Sequence, residues 1–100
     1  MYTRFEWDRK KASANLTKHH VDFDSAVRAF ADTGAICELD RIEGAQLRWK
    51  TIGRAGEHLI LVIIHLVLEQ DGIETIRIIS ARKADRSERR RYEQYSRSIR

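Results

Sequence analysis

Arginine carries most of the reactive potential of this 100-residue chain, and its placement is uneven. Residues 77–100 hold nine Arg or Lys against three acids, whereas residues 1–76 hold ten against twelve. A basic field of this kind attracts polyanions, because each phosphate neutralised releases counterions. An acidic protein partner would satisfy the same field. Within it, Arg77 lies in an alternating segment and Arg82 follows directly after. A guanidinium there keeps its proton and can grip two phosphate oxygens, or it can simply be a solvated charge. Lys83 and the run Arg89-Arg90-Arg91 are less specific, since a charge run usually forms a solvated helix face. The other reactive types are scattered: His19 beside His20, His58 and His65 apart, and a lone Cys37. Zinc wants about four ligands, and adjacent histidines on a helix diverge. No glycine-rich phosphate loop or nucleophile elbow is present. Any chemistry here is therefore expected to need no metal and no cofactor.

The elements that must position these residues can be read from caps and periods. Residues 3–6 suit a short first strand. Asp8 stands as an N-cap before a helix over 9–19. Asp22 caps a second helix whose apolar stripe is Phe23, Ala26, Val27 and Phe30, and Gly34 ends that unit. The period then changes, and residues 36–42, 46–52, 59–68 and 73–80 favour strands. Turn residues connect them, with Asp71-Gly72 the strongest hairpin signal. Four such strands predict an antiparallel meander. Asp85 and Glu88 have capping-box spacing, opening a basic last helix that runs from about 85 to 96. The fold class expected is α+β: a four- to five-stranded antiparallel sheet with two N-terminal helices and one C-terminal helix. The helices should cover one face and leave the other open. Alternation puts Ile76 and Ile78 on one face and Thr75, Arg77 and Ile79 on the other.

Length predicts a single domain over 1–100. One cysteine forms no internal disulfide, and the amino terminus lacks an apolar leader, so a cytoplasmic location is expected. The longest apolar run, 59–68, is too short to span a bilayer and contains His65, so no membrane partner is expected. His65 is expected to be a hydrogen-bonded core histidine, and Trp7 and Trp49 are expected to pack rather than stack on bases.

Several segments together resemble one family. Phe5-Glu6-Trp7-Asp8 with Lys11, Asn15, Lys18 and His19 is similar to the opening of BrnT toxins. Val21, Phe23, Ala26, Phe30 and Asp32 continue the likeness, as do Arg48, Trp49, Ile52 and Gly53. The densest stretch is Ile76-Arg77-Ile78-Ile79-Ser80-Ala81-Arg82-Lys83-Ala84, followed by Glu88, Arg89 and Tyr92. Three positions depart from the family's usual pattern: His20 replaces a glycine, Thr33 a proline, and Gln46-Leu47 a pair of glutamates. The resemblance implies a RelE-like fold, an endoribonuclease that inhibits translation, and a hetero-oligomer with a BrnA-type antitoxin through which alone DNA is contacted. It also implies an RNA substrate cleaved by its own 2′-OH. Such a site must orient the attack, stabilise added negative charge and move two protons. Arg77 and Arg82 become the phosphate candidates, and Arg48, Lys83 and Arg89 the RNA-binding ones. His19, Glu88 and Tyr92 become candidates for proton transfer. Each keeps a structural alternative: His19 as a helix end, Glu88 as a cap, Tyr92 as a core edge. Two rival readings remain, a cleavage-deficient module that only assembles with antitoxin and a general RNA-binding protein.

Overall fold

The computed structural model describes residues 2–98. In chain order the elements are β1 (Tyr2–Glu6), α1 (Arg9–His19), α2 (Phe23–Ala29), β2 (Ile36–Glu43), β3 (Gln46–Gly56), β4 (Leu59–Gln70), β5 (Ile73–Lys83) and α3 (Arg86–Ser98). The five strands form one sheet in the order β1-β5-β4-β3-β2. The last four make the expected antiparallel meander. β1 departs from it: it lies on the edge and pairs parallel with β5, Tyr2 opposite Ile73 and Glu6 opposite Arg77.

The caps act as their chemistry dictates. Asp8 accepts from the amides of Lys10 and Lys11, and Asp22 accepts from that of Ser25. These backbone bonds hold both carboxyls below their ordinary range. α1 ends on His20, whose φ of 60° is left-handed. A glycine takes that conformation freely, whereas a side chain there costs roughly 1 kcal/mol. His20 therefore holds a strained backbone conformation that glycine would adopt freely. At the β4–β5 turn both Asp71 and Gly72 have positive φ, as a two-residue hairpin demands.

The helices do not share one face. α1 and α2 pack on one side, where Phe23, Ala26, Ala29, Leu61, Ile63, Ile78 and Ala81 form a buried cluster. α2 approaches β3 so closely that a Cβ on Gly53 would stand 2.6 Å from the carbonyl oxygen of Ala29. α3 lies on the opposite side, with Tyr92 over Ile52, Ile60 and Val62. The alternation of β4 separates the two clusters: odd residues 61 and 63 face α1/α2, even residues 60 and 62 face α3. The basic last helix prefers this second face because its Tyr92 completes an apolar patch there.

Candidate functional site

One irregularity in β5 organises the basic residues. Ser80 pairs with Ile64 and Ile78 with His65, so Ile79 is an extra residue with no partner of its own. Such a bulge resets the alternation. Before it, Ile76 and Ile78 point to the α1/α2 core and Arg77 to the α3 face. After it, Ala81 enters the α1/α2 core, while Ser80 and Arg82 join Arg77. In an unbroken strand Arg77 and Arg82, five positions apart, would face opposite ways. Asn15, 6% exposed, fixes the bulged segment from α1. Its carboxamide accepts from the Ala81 amide at 3.1 Å and donates to the carbonyls of Ala81 at 2.8 Å and Val21 at 3.0 Å.

On the α3 face each cation leans on a carboxylate. Arg82 makes a two-pronged contact with Glu88, at 2.7 and 2.9 Å. Glu88 also completes the capping box, accepting from the Asp85 amide while Asp85 accepts from its own. The Arg82 guanidinium, more than any other cause, lowers the Glu88 carboxyl to about 2, and Glu88 in turn raises Arg82. Arg77 meets Glu6 at 2.7 Å across the parallel β1–β5 pair. Arg48 lies 2.9 Å from Glu43, and Lys50, which pairs with Ile64 beside Ser80, lies 3.6 Å from Glu38. Arg91 of α3 reaches the same Glu38 at 2.6 Å. Arg48, Lys50, Arg77 and Arg82 thus share a face with Ser80 between them. Lys50 carried no sequence signal, and Ser80 only its place in the family-like stretch 76–84; a bulge and a register brought them together.

The remaining candidates lie elsewhere. Tyr92 is 1% exposed, and its hydroxyl donates to Asp32 at 2.5 Å. Burial and that anionic acceptor raise the phenol. Asp32 also accepts from the amides of Gly34 and Arg54, so it clasps α3 to the α2–β2 connection. Lys83, paired with Leu61, emerges on the α1/α2 face. Arg89 contacts the His58 carbonyl at 3.2 Å and Glu93 at 3.8 Å, outside the four-cation group. His19 is the last residue of α1, whose contacts are with β5 on the side away from Arg77. His65 is buried and bonded to Thr51 at 2.8 Å, and burial lowers its basicity, as expected of a core histidine. Trp7 packs edge-on against Phe23. Among the described residues no group of three or more His, Cys, Asp or Glu is placed to hold a metal, and no helix is long and apolar enough to cross a membrane.

A compact α+β domain with arginines gathered on one half-open sheet face suits a small protein that handles phosphodiesters, and ribonuclease toxins form such a class. The family described as "Ribonuclease toxin, BrnT, of type II toxin-antitoxin system" matches residues 7–88, and the chain belongs to that family. The structure is similar to the crystal structure of the Brucella abortus ribonuclease toxin BrnT, with a TM-score of 0.65 at 22% identity over 86% of this chain and 100% of that one. No curated protein matches the chain. Family membership carries with it a ribonuclease activity and an antitoxin partner.

Proposed function

We propose that the chain is a metal-independent endoribonuclease that inhibits translation and is neutralised by a BrnA-type antitoxin. One observation carries the site: the bulge at Ile79 sets Arg77 and Arg82 on a single accessible face. In this reading the ribose 2′-OH attacks the adjacent phosphorus, the 5′-oxygen leaves, and a 2′,3′-cyclic phosphate results. Arg77 and Arg82 hold the phosphate and stabilise its added charge. Arg48 lengthens the track on the same face, while Lys83 and Arg89 attract RNA from outside it. Glu88, held at about 2 by Arg82, is a poor proton acceptor at neutral pH and acts by orienting that guanidinium. The Tyr92 proton is committed to Asp32, so Tyr92 seats α3 instead. His19, at the end of α1 on the other side of the sheet, stands away from both arginines. In this reading catalysis therefore rests on phosphate orientation and charge stabilisation by Arg77 and Arg82.

A second reading draws support from the same contacts. Both guanidiniums already grip carboxylates, which suits a module that only assembles with antitoxin. Single-turnover cleavage of RNA by the purified chain decides between them. Arg77→Ala and Arg82→Ala should each slow cleavage roughly a hundred-fold or more, a loss of about 3 kcal/mol or more of transition-state stabilisation. Arg90→Ala should weaken binding modestly and mainly at low salt. EDTA should leave the rate intact, and products should end in cyclic phosphate. Loss of activity on chelation with recovery in Mg²⁺, or an Arg90→Ala variant as damaged as the other two, would overturn the assignment.

A further inference from the structure

On the side of the sheet away from Arg77 and Arg82, the α1/α2 face ends in an apolar surface that neither helix covers. α2 stops short of it. Phe5, Val27, Phe30, Ala31 and Ile76 line a groove of about 480 Å³ there. Val67, paired with Ile76, is 40% exposed. Leu47 lies on the same face, one rung beyond the Trp49–His65 pair, and is 46% exposed. Opposite it in β2 stands Ile42, at 63%. Contiguous apolar exposure of this kind on a charged protein marks a contact surface.

Its rim says what kind of contact. The next rung after Val67–Ile76 is Glu69 opposite Glu74, two carboxylates facing each other across adjacent strands. Like charges placed so are destabilising, and among the described residues neither has an ion-pair partner within 4 Å; Glu74 accepts only a 3.4 Å bond from Thr3. Glu74 also lines the groove. The molecule as a whole is basic, so an acidic pair beside this apolar groove is not a product of average composition. A partner segment with apolar side chains for the groove and a Lys or Arg between the two glutamates would satisfy both features.

We propose that this end of the α1/α2 face docks the protein antitoxin, through an apolar segment bearing a basic residue. The inference rests on the toxin–antitoxin reading and adds a location. It places the partner's anchor on the side of the sheet opposite Arg77 and Arg82.

The test is titration of the co-expressed antitoxin against the purified toxin by calorimetry. A Glu69→Lys, Glu74→Lys double variant and a milder Val67→Ser variant should each weaken binding at least ten-fold. Both should keep wild-type RNA cleavage when free, which shows that they fold. Glu69→Gln with Glu74→Gln should weaken binding less than the charge reversal. An unchanged affinity in the reversed variant would overturn the location while leaving the toxin–antitoxin reading standing. Absence of any complex with the wild-type chain would overturn both. A dimer of the toxin alone that the Val67→Ser variant disrupts would overturn the choice of occupant in favour of a second copy.

Discussion

The two faces of the sheet are made from the same strands on opposite terms. On the α1/α2 face stability comes from shape: Phe23, Leu61, Ile63 and Ala81 are buried almost completely, and helix backbone touches strand backbone at Gly53. On the α3 face the apolar core shrinks to Ile52, Ile60, Val62 and Tyr92. Beyond it the surface is a row of cations, each against a carboxylate. Arg77 and Glu6 keep 39% and 35% of their side-chain surface exposed. Partly solvated ion pairs of that kind contribute little to stability. Arg77 can therefore exchange its carboxylate for a phosphate without loosening the fold. The teaching is a division of labour. One face can be perfected for packing because the other is free to carry unsettled charge.

The largest expected effect tests the packed face. Phe23→Ala should cost about 3–5 kcal/mol, because it empties a fully buried site between α2 and the sheet. Urea unfolding measures it, and a loss under about 1 kcal/mol would mean that this face is not the main source of stability.

Glu88→Gln probes the charged contact on the other face with the most sheltered carboxylate, 13% exposed against an Arg82 that keeps 41%. Loss of the Arg82 contact should cost on the order of 2 kcal/mol at neutral pH. The wild-type carboxyl lies at about 2 in the folded chain against an ordinary 4.5. Its contribution is therefore complete above roughly pH 4.5 and disappears as pH falls towards 2. Melting curves of the two proteins should be separated at pH 6 and converge near pH 2. A separation that persists unchanged in acid would show that the ion pair is not its source.

The smallest effect concerns the hinge between the two schemes, where Tyr92 ties α3 to Asp32. Tyr92→Phe keeps the ring over Ile52 and Val62 but removes the hydroxyl, and should cost about 1–2 kcal/mol. Cleavage by the folded variant should stay within about three-fold of wild type, a difference of only some 0.6 kcal/mol. A hundred-fold loss of rate with little loss of stability would return Tyr92 to the chemistry and break the division between the faces.

Local signals were the legible ones. Asp8, Asp22 and the Asp85–Glu88 box announce their helices because a cap and its amides lie within three residues. Asp71-Gly72 announces its hairpin because positive φ favours those side chains. Alternation correctly put Arg77 opposite Ile76 and Ile78, and the buried-strand context of His65 correctly suggested a bonded core histidine. The resemblance assembled from such stretches was enough for the family.

Three features were decided only by tertiary contacts. The pairing of β1 with β5 joins residues 71 positions apart, which no local period encodes. α3 went to the second face because Tyr92 found Ile52, Ile60 and Val62 there, and helix amphipathicity does not say which face of a sheet will receive it. The decisive case is Ile79. Alternation states only how a residue faces relative to its neighbours, and one inserted residue inverts everything beyond it. Asn15, 66 positions away from Ala81, holds both the amide and the carbonyl of that residue and keeps the inversion in place. The sequence by itself thus determined that two arginines would be available near the end of β5. Only the folded chain, by slipping one residue, decided that they would face the same way.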